Sequence, residues 1–214
     1  DDVAFARLHA YGPGIGSAVA GLLGSEKPLD RVAGVKLTHG LRLTQHYDRL
    51  TELTQDKDAR VRRSLTLALT EVGTDAQVHT LIPLMDDPEF FIRLASQRAL
   101  ADRGDRGLNE YARKVVAVER RVARLRAYQA MADVAVPADA DWFREQLRRD
   151  DLDPSTEREE CWRGYATAAP LRALADLEKA RADKKAPMEW HQYHAALRAL
   201  APRAPEALVV AELD

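Results

Sequence analysis

Two seven-residue stretches, Asp56-Lys57-Asp58-Ala59-Arg60-Val61-Arg62 and Asp87-Pro88-Glu89-Phe90-Phe91-Ile92-Arg93, line up at a spacing of 31 residues. Each lies between two apolar, helix-like segments. A fixed period of roughly 20–50 residues marks stacked supersecondary units, because one such unit cannot bury its apolar face alone. The repeat therefore sets the architecture before any single residue is considered, and it names no reaction.

The flanks of the two stretches obey the same period. Counting from Val61 and Ile92, Leu69 matches Leu100, Ala68 matches Ala99 and Leu53 matches Leu84. Steps of seven and eight place these residues on one helical face. Asp58 and Glu89 fall just before or in the first turn of the second helix, where a carboxylate accepts unpaired N–H groups and meets the positive end of the dipole. The pattern weakens outward: Val32 lies 29 residues before Val61, Val122 lies 30 after Ile92, and Pro28 takes the place of Pro88. Helix pairs are predicted at 15–22 with 29–42, 46–54 with 59–72, 77–85 with 89–102 and 107–117 with 119–134. Beyond Pro137 the register loosens into helices over 139–149, 158–168 (with Ser155 as its N-cap), 170–182 and 188–200, and a last short one over 204–213. Sustained two-residue alternation is missing, so no strand is expected. The fold class expected is all-α: one domain over 1–214, regular over 15–134 and divergent over 138–214.

Composition agrees with helix. The chain leans on Ala, Leu, Arg, Glu and Asp, which lose little rotamer freedom there or cap its ends. A 46% hydrophobic content excludes a disordered chain, and a net charge of −2 excludes a polyelectrolyte binder of nucleic acid, so any basic site must be local. The lone Cys161 makes no internal disulfide, and no apolar run reaches the roughly 18 residues of a membrane span. A cytoplasmic, reducing setting is expected, although a start at Asp1 rather than Met leaves a removed signal or a larger parent protein open.

The Asp-x-Asp-x-x-Val-Arg motif, followed by an Ala/Leu-rich helix and a second copy about thirty residues on, resembles the HEAT-like repeats of the phycobilisome-lyase type. The match is good over 45–104, fair over 27–134 and poor afterwards. The resemblance implies a right-handed α-solenoid of about six antiparallel helix pairs whose second helices line a concave face. It implies that Asp56, Asp87, Arg62 and Arg93 tie neighbouring turns together and are not site residues.

Functional residues are then sought on the variable positions. Two, five, six and nine places past the reference residue, side chains face away from the core. These are Arg63, Thr66, Leu67 and Thr70, then Leu94, Gln97, Arg98 and Ala101, then Arg124, Ala127, Tyr128 and Met131. Arg63, Arg98, Arg124 and Tyr128 are the expected partner-binding residues, since Arg and Tyr combine large contact area with polar ends. A second candidate is the basic run Arg113, Lys114, Arg120, Arg121, Arg124 and Arg126, with Arg103 and Arg106 upstream. On one helix pair it forms a stripe for phosphates, as in HEAT-like alkylpurine glycosylases, or a solvated face balanced by acidic neighbours such as the Asp150–Asp153 and Glu157–Glu160 segments.

Catalytic and metal signals are weak. His191 and His194 lie three apart with no completing ligand, and the His-Glu pairs of HEAT-like deoxyhypusine hydroxylases do not occur. Gly12-Pro13-Gly14-Ile15-Gly16 lacks the Lys-Ser/Thr ending of a phosphate loop and is expected to form a turn between helices. Cys161 reads as a small buried hydrophobe, and Trp142, Trp162 and Trp190 as packing residues of the C-terminal pairs. No catalytic residue, metal or cofactor is expected. The expected function is a non-enzymatic scaffold that docks a protein or peptide without entering a membrane. Nucleic-acid binding through 103–126 and a chromophore-lyase or maturation role are the alternatives.

Overall fold

The structure, a computed structural model, describes residues 14–117, 121–182, 193–194 and 196–198. Every regular element among them is helical. The chain divides after Gly107 into two compact units, well before the point near Pro137 where the sequence loses its register.

The first unit is three helix pairs. Helix α1 (Gly14–Leu23) packs on α2 (Pro28–Gly40). A 3-10 turn (Thr44–His46), α3 (Tyr47–Glu52) and a second 3-10 turn (Leu53–Gln55) lead into α4 (Ala59–Val72). Helix α5 (Asp75–His79) and the 3-10 stretch Ile82–Asp86, which contains Pro83, precede α6 (Phe90–Asp102). These are the three predicted pairs, with the first member of the second and third broken into short turns. Gly14, Ile15 and Gly16 already belong to α1 rather than to a turn. Pro28 opens α2, where its missing N–H costs nothing.

Helix α4 shows why the period works. Asp58 caps it by accepting the Arg60 N–H at 2.9 Å. Val61, Leu65, Ala68 and Leu69 are buried, a stripe at helical spacing. Their equivalents in α6, Ile92, Ser96, Ala99 and Leu100, are buried too. Helix α4 packs against both α2 and α6. Glu89 occupies the N-cap place of α6 but makes no side-chain cap. The start of that helix is held instead by Asp87, whose carboxylate accepts the Glu89 N–H at 2.8 Å.

Arginines and aspartates join successive pairs in a ladder. Arg31 Nε and Nη2 donate to Asp56 at 2.6 and 2.8 Å, and Arg62 Nε and Nη2 to Asp87 at 2.5 and 3.1 Å. The Nη1 of each arginine turns back to its own loop: Arg31 to the carbonyls of Ser25 and Glu26, Arg62 to those of Asp56 and Lys57. Burial alone would push the Asp56 and Asp87 carboxyls up. The arginine in each rung and the backbone N–H two residues on outweigh it and hold both below the usual carboxylate range. Arg93 repeats the local half of the motif, donating to Asp87 O and Pro88 O at 2.6 and 2.8 Å, but its Nε has no partner. The residue 25 places further on, the offset of both rungs, is Val118.

The ends of α2 and α6 share one device. Asp105 N–H reaches Leu100 O and Gly104 N–H reaches Ala101 O, with Gly104 at φ 60°. Leu43 N–H reaches Thr38 O and Arg42 N–H reaches His39 O, with Arg42 at φ 51°. Both are Schellman turns, and the second places an arginine where glycine is favoured.

The second unit contains α7 (Gly107–Val116), α8 (Arg121–Asp133), a 3-10 turn (Pro137–Asp139), α9 (Ala140–Gln146), α10 (Glu157–Ala168) and α11 (Pro170–Ala182). Helix α10 packs against α8, α9 and α11. Phe143, Tyr128, Met131, Cys161 and Tyr165 are fully buried around it. Gly164 is required by this packing, because a Cβ there would lie 2.2 Å from Phe143 Cζ. Ser155 does not cap α10. The Asp153 carboxylate accepts the N–H groups of Ser155 and Thr156 instead, and the helix opens at Glu157. Trp142 and Trp162 pack within this unit; Trp190 and the predicted helix over 204–213 lie outside the described residues, as does most of that over 188–200.

Candidate functional site

The rungs set the relative direction of α4 and α6. Arg62 and Asp87 join their N-terminal ends, and Arg103 Nη2 donates to Gly73 O at 3.2 Å across their C-terminal ends. The two helices therefore run parallel, with equivalent faces turned the same way. Between those faces lies a groove of about 370 Å³. Helix α4 contributes Arg63, Thr66, Leu67 and Thr70, and α6 contributes Phe91, Ile92, Leu94, Ala95, Arg98 and Asp102.

The middle of the groove is apolar. Leu67 and Phe91 are 52% and 63% exposed, well above what a closed core permits. Thr66 and Thr70 donate their hydroxyls to the carbonyls one turn back, Arg62 O and Thr66 O, at 2.9 and 2.7 Å. Those protons are thus used within the helix. The guanidinium of Arg63 lies 5.6 Å from the centre of the Phe91 ring, within cation–π range. Arg63 and Arg98 are exposed and, among the described residues, have no carboxylate partner.

Half of the twelve positions expected to face outward border this groove, Thr66 among them although it is buried. Arg63, Thr66, Leu67, Thr70, Leu94 and Arg98 line the groove, whereas Gln97 and Ala101 are not among its lining residues. Phe91 was missed because it sits one place before the reference residue Ile92. The adjacent pair Phe90-Phe91 carried the signal: with Ile92 facing inward, both rings are left exposed.

Arg124 and Tyr128, expected on the same exposed face, require correction. Arg124 is 7% exposed; its Nε and Nη2 donate to Glu157 at 3.1 and 3.0 Å and its Nη1 to Asp151 at 2.7 Å. Tyr128 is fully buried and donates to Gln146 Oε1 at 3.2 Å. Burial also pushes the Tyr128 phenol above its usual range. The reason is register. Arg31, Arg62, Arg93 and Arg124 recur every 31 residues, so Arg124 occupies the rung position and not an outward one.

Part of the basic segment is committed to internal contacts, Arg124 among it. Arg113 donates to Asn109 Oδ1 and Asp139 Oδ1 at 2.6 and 3.4 Å and stacks 5.2 Å from the Trp142 ring. Arg103 pairs with Asp75 at 2.8 Å, and Arg106 has a partner of its own. Lys114 is exposed and Arg126 half-buried. Arg120 and the side chain of Arg121 lie outside the described residues.

The remaining candidates form no cluster. His39 meets Glu71 at 2.8 Å and His79 meets Asp105 at 3.0 Å, two separate pairs. His191 lies outside the described residues, among which no group of three His, Cys, Asp or Glu is placed to hold a metal ion. Cys161 is fully buried, and burial pushes its thiol well above the usual range, away from nucleophilic chemistry. No helix among the described residues is long and apolar enough to cross a membrane. Comparison of the chain with protein-family models and with curated proteins finds no match.

Proposed function

We propose that the chain is a non-enzymatic binding scaffold of the HEAT-like kind, in which α2, α4 and α6 are the second helices of successive repeats. The α4–α6 groove is the surface it presents to a protein or peptide partner. The observation that carries this reading is the composition of that groove. Two repeat-equivalent pairs, Arg63 with Leu94 and Leu67 with Arg98, converge there, joined by the exposed ring of Phe91. Exposed apolar side chains gathered in a concavity, with polar groups at the edge, are what recognition sites require.

Selection of a displayed random-peptide library against the protein tests the reading, with Leu67→Glu as the comparison. Leu67 is 52% exposed, so the substitution leaves the core intact. Enriched peptides are expected to bind the protein and to lose about tenfold or more against the variant, since each 1.4 kcal/mol is a factor of ten. A library that yields no enriched sequence, or binders indifferent to Leu67→Glu, overturns it.

A further inference from the structure

The groove's two arginines lack the internal partners that most arginines of the first unit have. Arg31, Arg60, Arg62 and Arg103 each hold an aspartate of this chain, and Arg93 holds two backbone carbonyls. Among the described residues Arg63 and Arg98 hold neither, a state shared by the exposed Arg42 in the turn after α2, outside the groove lining, although the chain carries 34 acidic residues against 32 basic ones. Their places along the groove are also distinct. Arg63 sits with Phe91 near the start of the parallel helices. Arg98 is seven residues after Phe91 on α6, which at 1.5 Å per residue is about 10 Å further along. Leu67, Leu94 and the Thr66 and Thr70 side chains share the lining with them, and Asp102 follows one turn past Arg98 on α6.

We infer that the groove takes an acidic peptide segment: one apolar side chain seated on Leu67 and Leu94, flanked by two carboxylates that meet Arg63 and Arg98. An extended chain turns every second side chain to one face, about 6.6 Å apart, so the apolar residue and the two acids fall at alternate places, with the acids four residues apart and the apolar residue midway. The threonine hydroxyl protons are already used, which leaves the two guanidinium groups as the side-chain donors of the lining. Asp102 repels a third acid beyond Arg98 and so sets the length of the acidic segment. This inference rests on the groove being a peptide site; it adds the chemistry of what binds there.

Fluorescence anisotropy with three synthetic peptides tests it. Each carries a central Leu or Phe, with Glu, Gln or Lys two places to either side of it. The Glu peptide is expected to bind about tenfold more tightly than the Gln peptide, two pairs of about 0.5–1 kcal/mol each, and to weaken as salt rises. Arg63→Gln with Arg98→Gln is expected to remove that preference. Arg98→Glu is expected to shift it toward the Lys peptide, and circular dichroism shows whether each variant is folded. Equal binding of the Glu and Gln peptides overturns the acidic specificity while the groove remains a peptide site. Retention of a short DNA duplex through Arg63 and Arg98, in place of any peptide, overturns both.

Discussion

Truncating Asp87 to alanine is expected to cost the first unit about 4 kcal/mol. The Asp87 carboxylate is 2% exposed and the Arg62 side chain 12%, and the carboxylate accepts from Arg62 Nε, Arg62 Nη2 and Glu89 N–H. Removing one member of a buried ion pair costs about 3–5 kcal/mol, because the other charge is left uncompensated. Arg62 keeps the carbonyls of Asp56 and Lys57 and some contact with water, which sets this part near the lower end, about 3 kcal/mol. Loss of the acceptor at the start of α6 adds about 1 kcal/mol. The comparison is Asp75→Ala. That residue meets Arg103 at 2.8 Å but is 83% exposed, and an exposed pair contributes about 1 kcal/mol or less. Urea unfolding followed by far-UV circular dichroism reads both units. Trp142, Trp162 and Trp190 all follow Leu108, so their fluorescence reads the second. The dichroism transition should move to lower urea, since about 4 kcal/mol is a large share of a typical domain's stability of about 5–15 kcal/mol. If Asp87→Ala costs no more than Asp75→Ala, the rungs are surface pairs and the account of the ladder is wrong.

The rungs also set the acid limb of stability. Folded Asp56 and Asp87 titrate below the usual range, so between that range and their folded values the unfolded chain binds more protons. Their contribution is complete above the ordinary carboxylate range and lost as pH falls through the lower folded values. Acid titrations should show a flatter limb below about pH 4 for Asp56→Asn with Asp87→Asn than for the parent. Arg42, held at φ 51° in the turn after α2, should give a protein about 1 kcal/mol more stable when replaced by glycine, read as a raised urea midpoint.

The helix pairs of the first unit were legible because two signals agree there. The apolar stripe from Val61 to Leu69 and the polar signature before it share one period, and each fixes the phase of the other. Past Ile92 they separate. The apolar stripe drifts to Val122, 30 residues on, while the arginine keeps the 31-residue step at Arg124. Counting from the stripe turned Arg124 and Tyr128 outward, whereas the arginine series places Arg124 in a rung. Sequence alone does not distinguish a solvated arginine from a buried one until its counter-charge is located. For Arg124 that counter-charge is Glu157, on another helix 33 residues away. For the basic run the balancing segments around Asp151 and Glu157 were visible, whereas the burial of Arg124 between them and the pairing of Arg113 with Asp139 were not.

Each rung joins an arginine of one helix pair to an aspartate of the next. A block of 31 residues such as 57 to 87 carries Arg62 and Asp87, one whole rung, so taking it out or copying it removes or adds both charges together. Arg31 would still meet Asp56 if that block were deleted, and Arg93 would inherit the place of Arg62. The chain can thus be lengthened or shortened by whole periods without stranding a charge inside it. An insertion of another length between the partners of a rung leaves that arginine and aspartate out of phase.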